Sequence, residues 1–293
     1  MTAVASPTPR PTRLPVPARG RSWRRLVIAV IVAALVAVHV YAWIKTQTAP
    51  AELIKGWHGI AHLLFGWTQT FANGHAIHHT GAFPIDTSWS QTIRPGIGYC
   101  LLTVSMGLLG TTLSAPFALV FALLGSRVTC RIAPLYWLAR ALMSIIRAVP
   151  ETVYALIFLT AVGFGPFPGV LALLLHNTAV MGKLWSEAMD EVDQGPVEAL
   201  RSAGASNLQV ALHAVLPAVV PQFLGLFLYR FDVNVRSSII LGIVGAGGIG
   251  FYIDFAVNNF RFDTMMTYVA MVVVLVLCID LLSVWMRKRV STI

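Results

Sequence analysis

Long apolar runs decide which solvent this chain folds in. Residues 26–44 form an almost unbroken apolar stretch with His39 as its one strongly polar member. Further apolar segments occupy residues 97–124, 133–162, 167–186, 208–245 and 264–286. A helix needs about 20 such residues to cross hydrocarbon, where each unsatisfied backbone group is costly. The charge content agrees: 11% of residues are charged and 57% hydrophobic, against about 25% charged in a soluble domain. So few charges cannot cover a water-facing surface. The expected fold is all-α, a polytopic membrane protein with six transmembrane helices.

Three regions follow. Residues 1–25, rich in Pro, Arg, Ser and Thr, read as a disordered basic tail. Residues 26–95 hold an N-terminal transmembrane helix and an external amphipathic segment, in which Leu53, Trp57, Ile60, Leu64, Trp67 and Phe71 recur at helical spacing. Residues 96–293 form the main membrane domain, with a polar segment at 187–205. A cleaved signal peptide is the rival for the first run; its length and the long Pro-rich tail favour an uncleaved anchor.

The formal charge is +9, and its distribution orients the chain. Arg10, Arg13, Arg19, Arg21, Arg24 and Arg25 precede the first run; Arg287, Lys288 and Arg289 close the last. With Arg127, Arg131, Lys183 and Arg201 they fall on one side, which the positive-inside rule makes cytoplasmic, leaving Lys45, Lys55, Arg94 and Arg261 outside. Both termini are then cytoplasmic in a multi-pass protein of the cell (inner) membrane. No soluble fold presents a basic patch to nucleic acid. Cys100, Cys130 and Cys278 are scattered and imply neither disulfide framework nor metal site.

The segment between the fourth and fifth spans has helix punctuation. Pro196 suits a first helical position, Glu198 suits the positive end of a helix, and Gly204 can end it in a left-handed turn. A very short helix should lie off the membrane here, exposed to the cytoplasm, and an ordinary capped loop helix would carry the same punctuation. Glu198-Ala199-Leu200, three residues, Gly204, then Leu216-Pro217 resembles the EAA loop of ABC-importer permeases: Glu-Ala-Ala, three residues, Gly, nine residues, Ile, one residue, Leu-Pro. Leu200 replaces the third Ala and Ala214 the Ile. The resemblance narrows at Arg147-Ala-Val-Pro-Glu151, Gly165-Pro-Phe-Pro-Gly169, Tyr229-Arg-Phe-Asp-Val-Asn-Val-Arg236 and Leu241-Gly-Ile-Val-Gly-Ala-Gly-Gly-Ile-Gly250, which are similar to the phosphonate-type permeases.

That resemblance implies a type I (MetI-like) importer core and a coupling helix comprising Pro196, Glu198, Ala199, Leu200 and Gly204, backed by Leu216 and Pro217. It implies import of phosphonate or a related oxyanion such as phosphite or phosphate by alternating access. The implied partners are a second permease copy in a homodimer, a cytoplasmic ABC ATPase dimer and an external substrate-binding protein. ATP and Mg would be bound by the ATPase, with no cofactor on this chain. Its own sequence agrees in having no GxxxxGK[ST] phosphate loop.

Charges within spans are costly and are functional candidates. Arg147 and Glu151, four apart, could pair on a continuous helix, although Pro150 lies between them. Arg230, Asp232, Asn234 and Arg236 lie near an expected break in residues 208–245, a stretch too long for one simple pass and kinked at its start by Pro217 and Pro221. These groups either help an oxyanion through a pathway or lock helices together as ion pairs. Gly245, Gly247, Gly248 and Gly250 match GxGxxG without the βαβ context a dinucleotide site needs, so tight packing or a gate lining is expected. His58, His62, His75, His78 and His79 read as a solvated or interfacial cluster rather than a metal site. His176-Asn177 reads as a packing or hydrogen-bonded pair. No catalytic motif of an intramembrane enzyme is present. The rival transport reading is an ion-coupled secondary transporter of an anionic solute, which would call for a repeated second half.

Overall fold

The structure is a computed structural model that describes residues 19–46, 57–70 and 76–290. It divides into two units, one ending at Ile60 and the other beginning at Ala61.

The first unit holds α1 (Arg19–Thr46). Its side chains described between Leu26 and Lys45 are exposed on all faces, the signature of a helix solvated by lipid. His39 turns its Nδ1 back to the Leu35 carbonyl at 3.0 Å, which spares a polar ring from facing hydrocarbon alone. The helix begins at Arg19, so the expected tail through residue 25 is too long. Arg10 and Arg13 lie outside the described residues.

α2 (Trp57–Phe65) is followed by a hairpin of β1 (Trp67–Thr70) and β2 (Ala76–His79), with Trp67 paired to His79. The all-α expectation therefore fails locally. The helical stripe ends at Phe65 because Gly66 takes a positive φ of 78°, and Trp67 enters a strand. Leu53, Phe71 and His75 lie outside the described residues.

The second unit continues with α3 (Arg94–Gly125), entered through a wide turn at Trp89–Ile93. α4 (Ala133–Ala148) and α5 (Glu151–Val162) follow, then α6 (Pro166–Asp190) and α7 (Gln194–Ser202). Helical turns from Asn207 lead into α8 (Leu216–Leu241), α9 (Gly248–Asn258) and α10 (Phe262–Val290). Among the described residues four helical stretches are long and apolar enough to cross a membrane: 89–125, 166–190, 207–246 and 262–289.

Residues 133–162 are not one straight span. α4 and α5 meet at 83°. The residue before a proline is pushed out of the helical region, and Val149 is extended at φ −97°, ψ 125°. The long stretch 208–245 also breaks elsewhere than expected. α8 runs unbroken through Arg230–Arg236, and the break falls at Gly245 (φ 108°) and Gly247 (φ 80°). Intramembrane polar residues need partners rather than a break, and α8 finds them on its neighbours.

Three buried clusters fill this unit. Ala118, Met181, Trp185, Val197, Val215 and Phe223 belong to one that joins α3, α6, α7 and α8. Trp185 and Phe223 stack within it at 4.5 Å between ring centres. A second joins Met106, Ala155, Leu173, Leu241 and Ala246, and a third Cys100, Ile249 and Tyr268.

Candidate functional site

The polar segment after α6 becomes a capped helix anchored in the core. Asp193 accepts the Gly195 amide at 3.1 Å and serves as N-cap of α7. The helix therefore starts at Gln194 rather than Pro196, because the aspartate satisfies an amide that would otherwise be orphaned. Gly204 follows with φ 83°, the left-handed turn its sequence context called for. Val197 is wholly buried, with Leu200 packed against the same cluster. Pro196, Glu198 and Ala199 remain exposed. Arg201 donates to the Val128 carbonyl at 2.8 Å, tying α7 to the α3–α4 loop.

Behind α7 the chain is clamped by Asp190. Ser126 Oγ donates to its Oδ1 at 2.7 Å, and the Arg127 amide to the same oxygen at 2.8 Å. Arg140 Nη2 reaches Oδ2 at 3.2 Å while its Nε donates to the Gly125 carbonyl at 3.0 Å. Sequence reasoning passed over Asp190, because nothing local marks it within an acidic run. A second capped turn follows: Ser206 accepts from the Gln209 amide and Gln209 Oε1 from the Ser206 amide at 2.8 Å. Leu216 and Pro217 open α8. Clefts of about 300 and about 400 Å³ flank α7, the first against Glu191, Asp193, Pro196 and Gln222, the second against Leu200, Gly204, Gln209 and His213.

The membrane-depth charges sort into separate groups. Arg147 ends α4 and Glu151 begins α5. A cation at a helix C-terminus and an anion at an N-terminus each suit the local dipole, so the break stabilises both without pairing them. The expected Arg147–Glu151 pair does not form. Glu151 instead accepts from Ser237 Oγ at 2.7 Å and lies 3.6 Å from His176 Nε2. The His176 Nδ1 is 3.1 Å from the Val149 carbonyl, which can only accept, so that nitrogen carries a proton. Arg147 is exposed and makes no ion pair or side-chain hydrogen bond among the described residues.

Arg230 Nε donates to Asn177 Oδ1 at 2.7 Å and Nη2 to Asn234 Oδ1 at 3.3 Å. Asn177 passes the chain to Ser114 at 2.6 Å, and Asn234 to Thr111 at 2.8 Å. On the far side of α8, Arg236 Nη2 donates to Asp232 at 2.6 Å and lies 3.7 Å from Asp280 of α10. At about 100° per residue, Arg230, Asn234 and Ser237 share one face and Asp232 and Arg236 the opposite one. Arg230 and Arg236 therefore do not converge within one chain. Asp232 is buried and its Oδ1 has no partner among the described residues.

The glycine run packs tightly. A Cβ at Gly250 would collide with the Ile239 carbonyl oxygen, and one at Gly248 with Thr103 Oγ1. Thr103 Oγ1 also accepts the Ile249 amide at 3.0 Å, holding the start of α9 to α3. Among the histidines, His79 stacks on Trp67 at 4.3 Å and meets Phe260 at 5.0 Å. Among the described residues no three His, Cys, Asp or Glu side chains gather as a metal set.

The short helix α7 stands exposed beside a bundle of membrane-length helices and is anchored to it by Val197 and Arg201, and sequence comparison gives the family. The chain belongs to the binding-protein-dependent transport system inner membrane component family, matched over residues 122–292. It is 41% identical over 209 residues to the phosphite transport system permease protein of Stutzerimonas stutzeri, covering 71% of this chain and 74% of that one. It is 39% identical over 186 residues to the phosphate-import permease protein of Mycolicibacterium smegmatis, covering 64% of this chain and 35% of that longer protein. The fold is shared with a chain from an inward-facing structure of the MetNI methionine ABC transporter: TM-score 0.56, 23% identity, 68% of this chain and 95% of that chain.

Proposed function

We propose that this chain is the transmembrane permease subunit of an ATP-driven importer for phosphonate or a related phosphorus oxyanion, phosphite or phosphate. The observation that carries the reading is α7: an exposed Pro196–Glu198–Ala199 surface over a fully buried Val197. Such a helix can receive force from a separate ATPase and pass it to the spans. The relatives' names support the substrate class. The assembly in this reading is a homodimer with a cytoplasmic ATPase pair and an external binding protein. α1, the α4–α5 pair counted as one bent span, and the four long helices make six crossings with both termini inside.

Arg147, with Glu151 and Arg230 nearby on the broken span and on α8, is the candidate substrate-pathway group. A guanidinium free of internal partners can form charge-assisted hydrogen bonds to an oxyanion. Arg236, held between two aspartates, fits a locking role better. Gly245, Gly247, Gly248 and Gly250 fit a tightly packed elbow beside the pathway.

The test is uptake of phosphite, phosphate and methylphosphonate into proteoliposomes holding this chain with its ATPase and binding protein. Uptake requiring ATP is expected for at least one of the three. Uptake that persists without ATP under a proton gradient would replace this reading with an ion-coupled carrier. Arg147→Gln should cut uptake with assembly intact; normal uptake would remove Arg147 from the pathway.

A further inference from the structure

An apolar groove of about 520 Å³ runs between α3 and α10. Ile93, Ile97 and Leu101 form one wall, and Met271, Val274 and Cys278 the other. Along α10 it extends from Thr267 to Cys278, about 16 Å at 1.5 Å per residue. That length matches one leaflet of a bilayer whose hydrocarbon core is about 30 Å thick.

The two ends of the groove differ. The Cys278 end lies within the apolar body of α10. The other end is lined by Thr87; the exposed Trp89 follows it by two residues, and the exposed Arg94 precedes the lining residue Ile97 by three, one turn back toward the start of α3. Tryptophan at a span end marks the headgroup level of the membrane. Arg94 is seven residues, two turns, before Leu101 and so shares its side of α3. Its guanidinium has no ion pair or hydrogen bond among the described residues. The rim beside it is braced: Thr267 Oγ1 donates to the Asp86 carbonyl at 2.7 Å, and Arg261 lies 3.7 Å from the Asp86 carboxylate.

We propose that this groove is a binding site for one anionic phospholipid, with an acyl chain along Ile97 and Val274 and the headgroup phosphate at Arg94. By the pitch of α3 the apolar slot leads toward Arg94, an exposed cation without an ion pair among the described residues, and a lipid with an acyl chain and an anionic headgroup complements both features. A zwitterionic lipid would fill the slot but gain less at Arg94, because its own ammonium offsets the phosphate charge.

The full-length chain is reconstituted in nanodiscs of equal phosphatidylglycerol and phosphatidylcholine, released into mild detergent, and examined by native mass spectrometry. Retention of one phosphatidylglycerol per chain in preference to phosphatidylcholine is expected. Arg94→Gln should lower that retention about fivefold, the scale of one basic residue at a lipid surface. Val274→Trp, which fills the slot, should lower it comparably. Equal retention of the two lipids, retention of neither, or wild-type retention in Arg94→Gln would overturn the proposal. Displacement of the lipid by excess inorganic phosphate would also overturn it, since Arg94 would then belong to a free-oxyanion site. Arg94→Gln changes an exposed side chain and carries the test alone if Val274→Trp does not fold.

Discussion

Arg140 and Asp190 meet at 3.2 Å, joining the start of the bent α4–α5 unit to the end of α6. The same carboxylate holds Ser126 and the Arg127 amide, so one side chain gathers three chain segments beside α7. Asp190→Ala leaves those donors without their acceptor and should lower stability by about 1–3 kcal/mol. Thermal unfolding of the purified chain measures it. An unchanged midpoint would mean that water replaces the carboxylate without loss.

Gly204 adopts φ 83° immediately after α7. A β-branched residue there is strained by about 1–2 kcal/mol, and the helix must end differently. Gly204→Val should uncouple the chain: membrane insertion persists, while ATP-driven uptake falls severalfold more than ATP hydrolysis by the assembled complex. Parallel measurement of both rates decides the matter.

Gly250 and Gly98 should respond oppositely to the same methyl group. At Gly250 the added carbon meets the Ile239 carbonyl, whereas at Gly98 nothing lies within 4 Å. Overpacking costs about 1–3 kcal/mol or more, so Gly250→Ala should lose thermal stability. Gly98→Ala should be neutral or mildly stabilising, because alanine is the better helix former.

Asp86 carries a pH signature on the hairpin side. The hydrogen bond from Thr92, opposed in part by desolvation and aided by Ser88 and the Arg261 charge, holds its carboxyl below the usual aspartate range. A depressed folded value stabilises above the unfolded value and fades as pH falls through the folded one. The stability gap between wild type and Asp86→Asn should therefore be full near neutrality and close on acidification below about pH 4. Unfolding midpoints of both proteins across that range test it; a gap independent of pH would sink the assignment.

Much of this architecture was legible in residue order, and the failures share a cause. Apolar run length located the four long helices, and the Pro196–Gly204 punctuation located α7, because both depend on neighbours in sequence, although the Asp193 cap was missed. The hairpin at Trp67–His79 escaped notice because Trp67 continued a helical stripe that Gly66 had already ended. The break assigned to Arg230–Arg236 was misplaced because Asn177, Ser114 and Thr111, which satisfy that patch, lie on other helices. Asp190 and the sorting of Arg230 from Arg236 were hidden for the same reason: cross-helix register is set by packing.

Val197 has a mechanical consequence. α7 is closed at one end by Asp193 and at the other by Gly204, and its inner side chain is sealed among residues of α3, α6 and α8. If α7 receives the load that the proposed function assigns to it, that load reaches three long helices together, as one block. In the proposed function, the compliance that lets a pathway open then belongs to the seams of that block, the elbow at Val149–Pro150 and the elbow at Gly245–Gly247. Stiffening either should stall the stroke while leaving the lever intact.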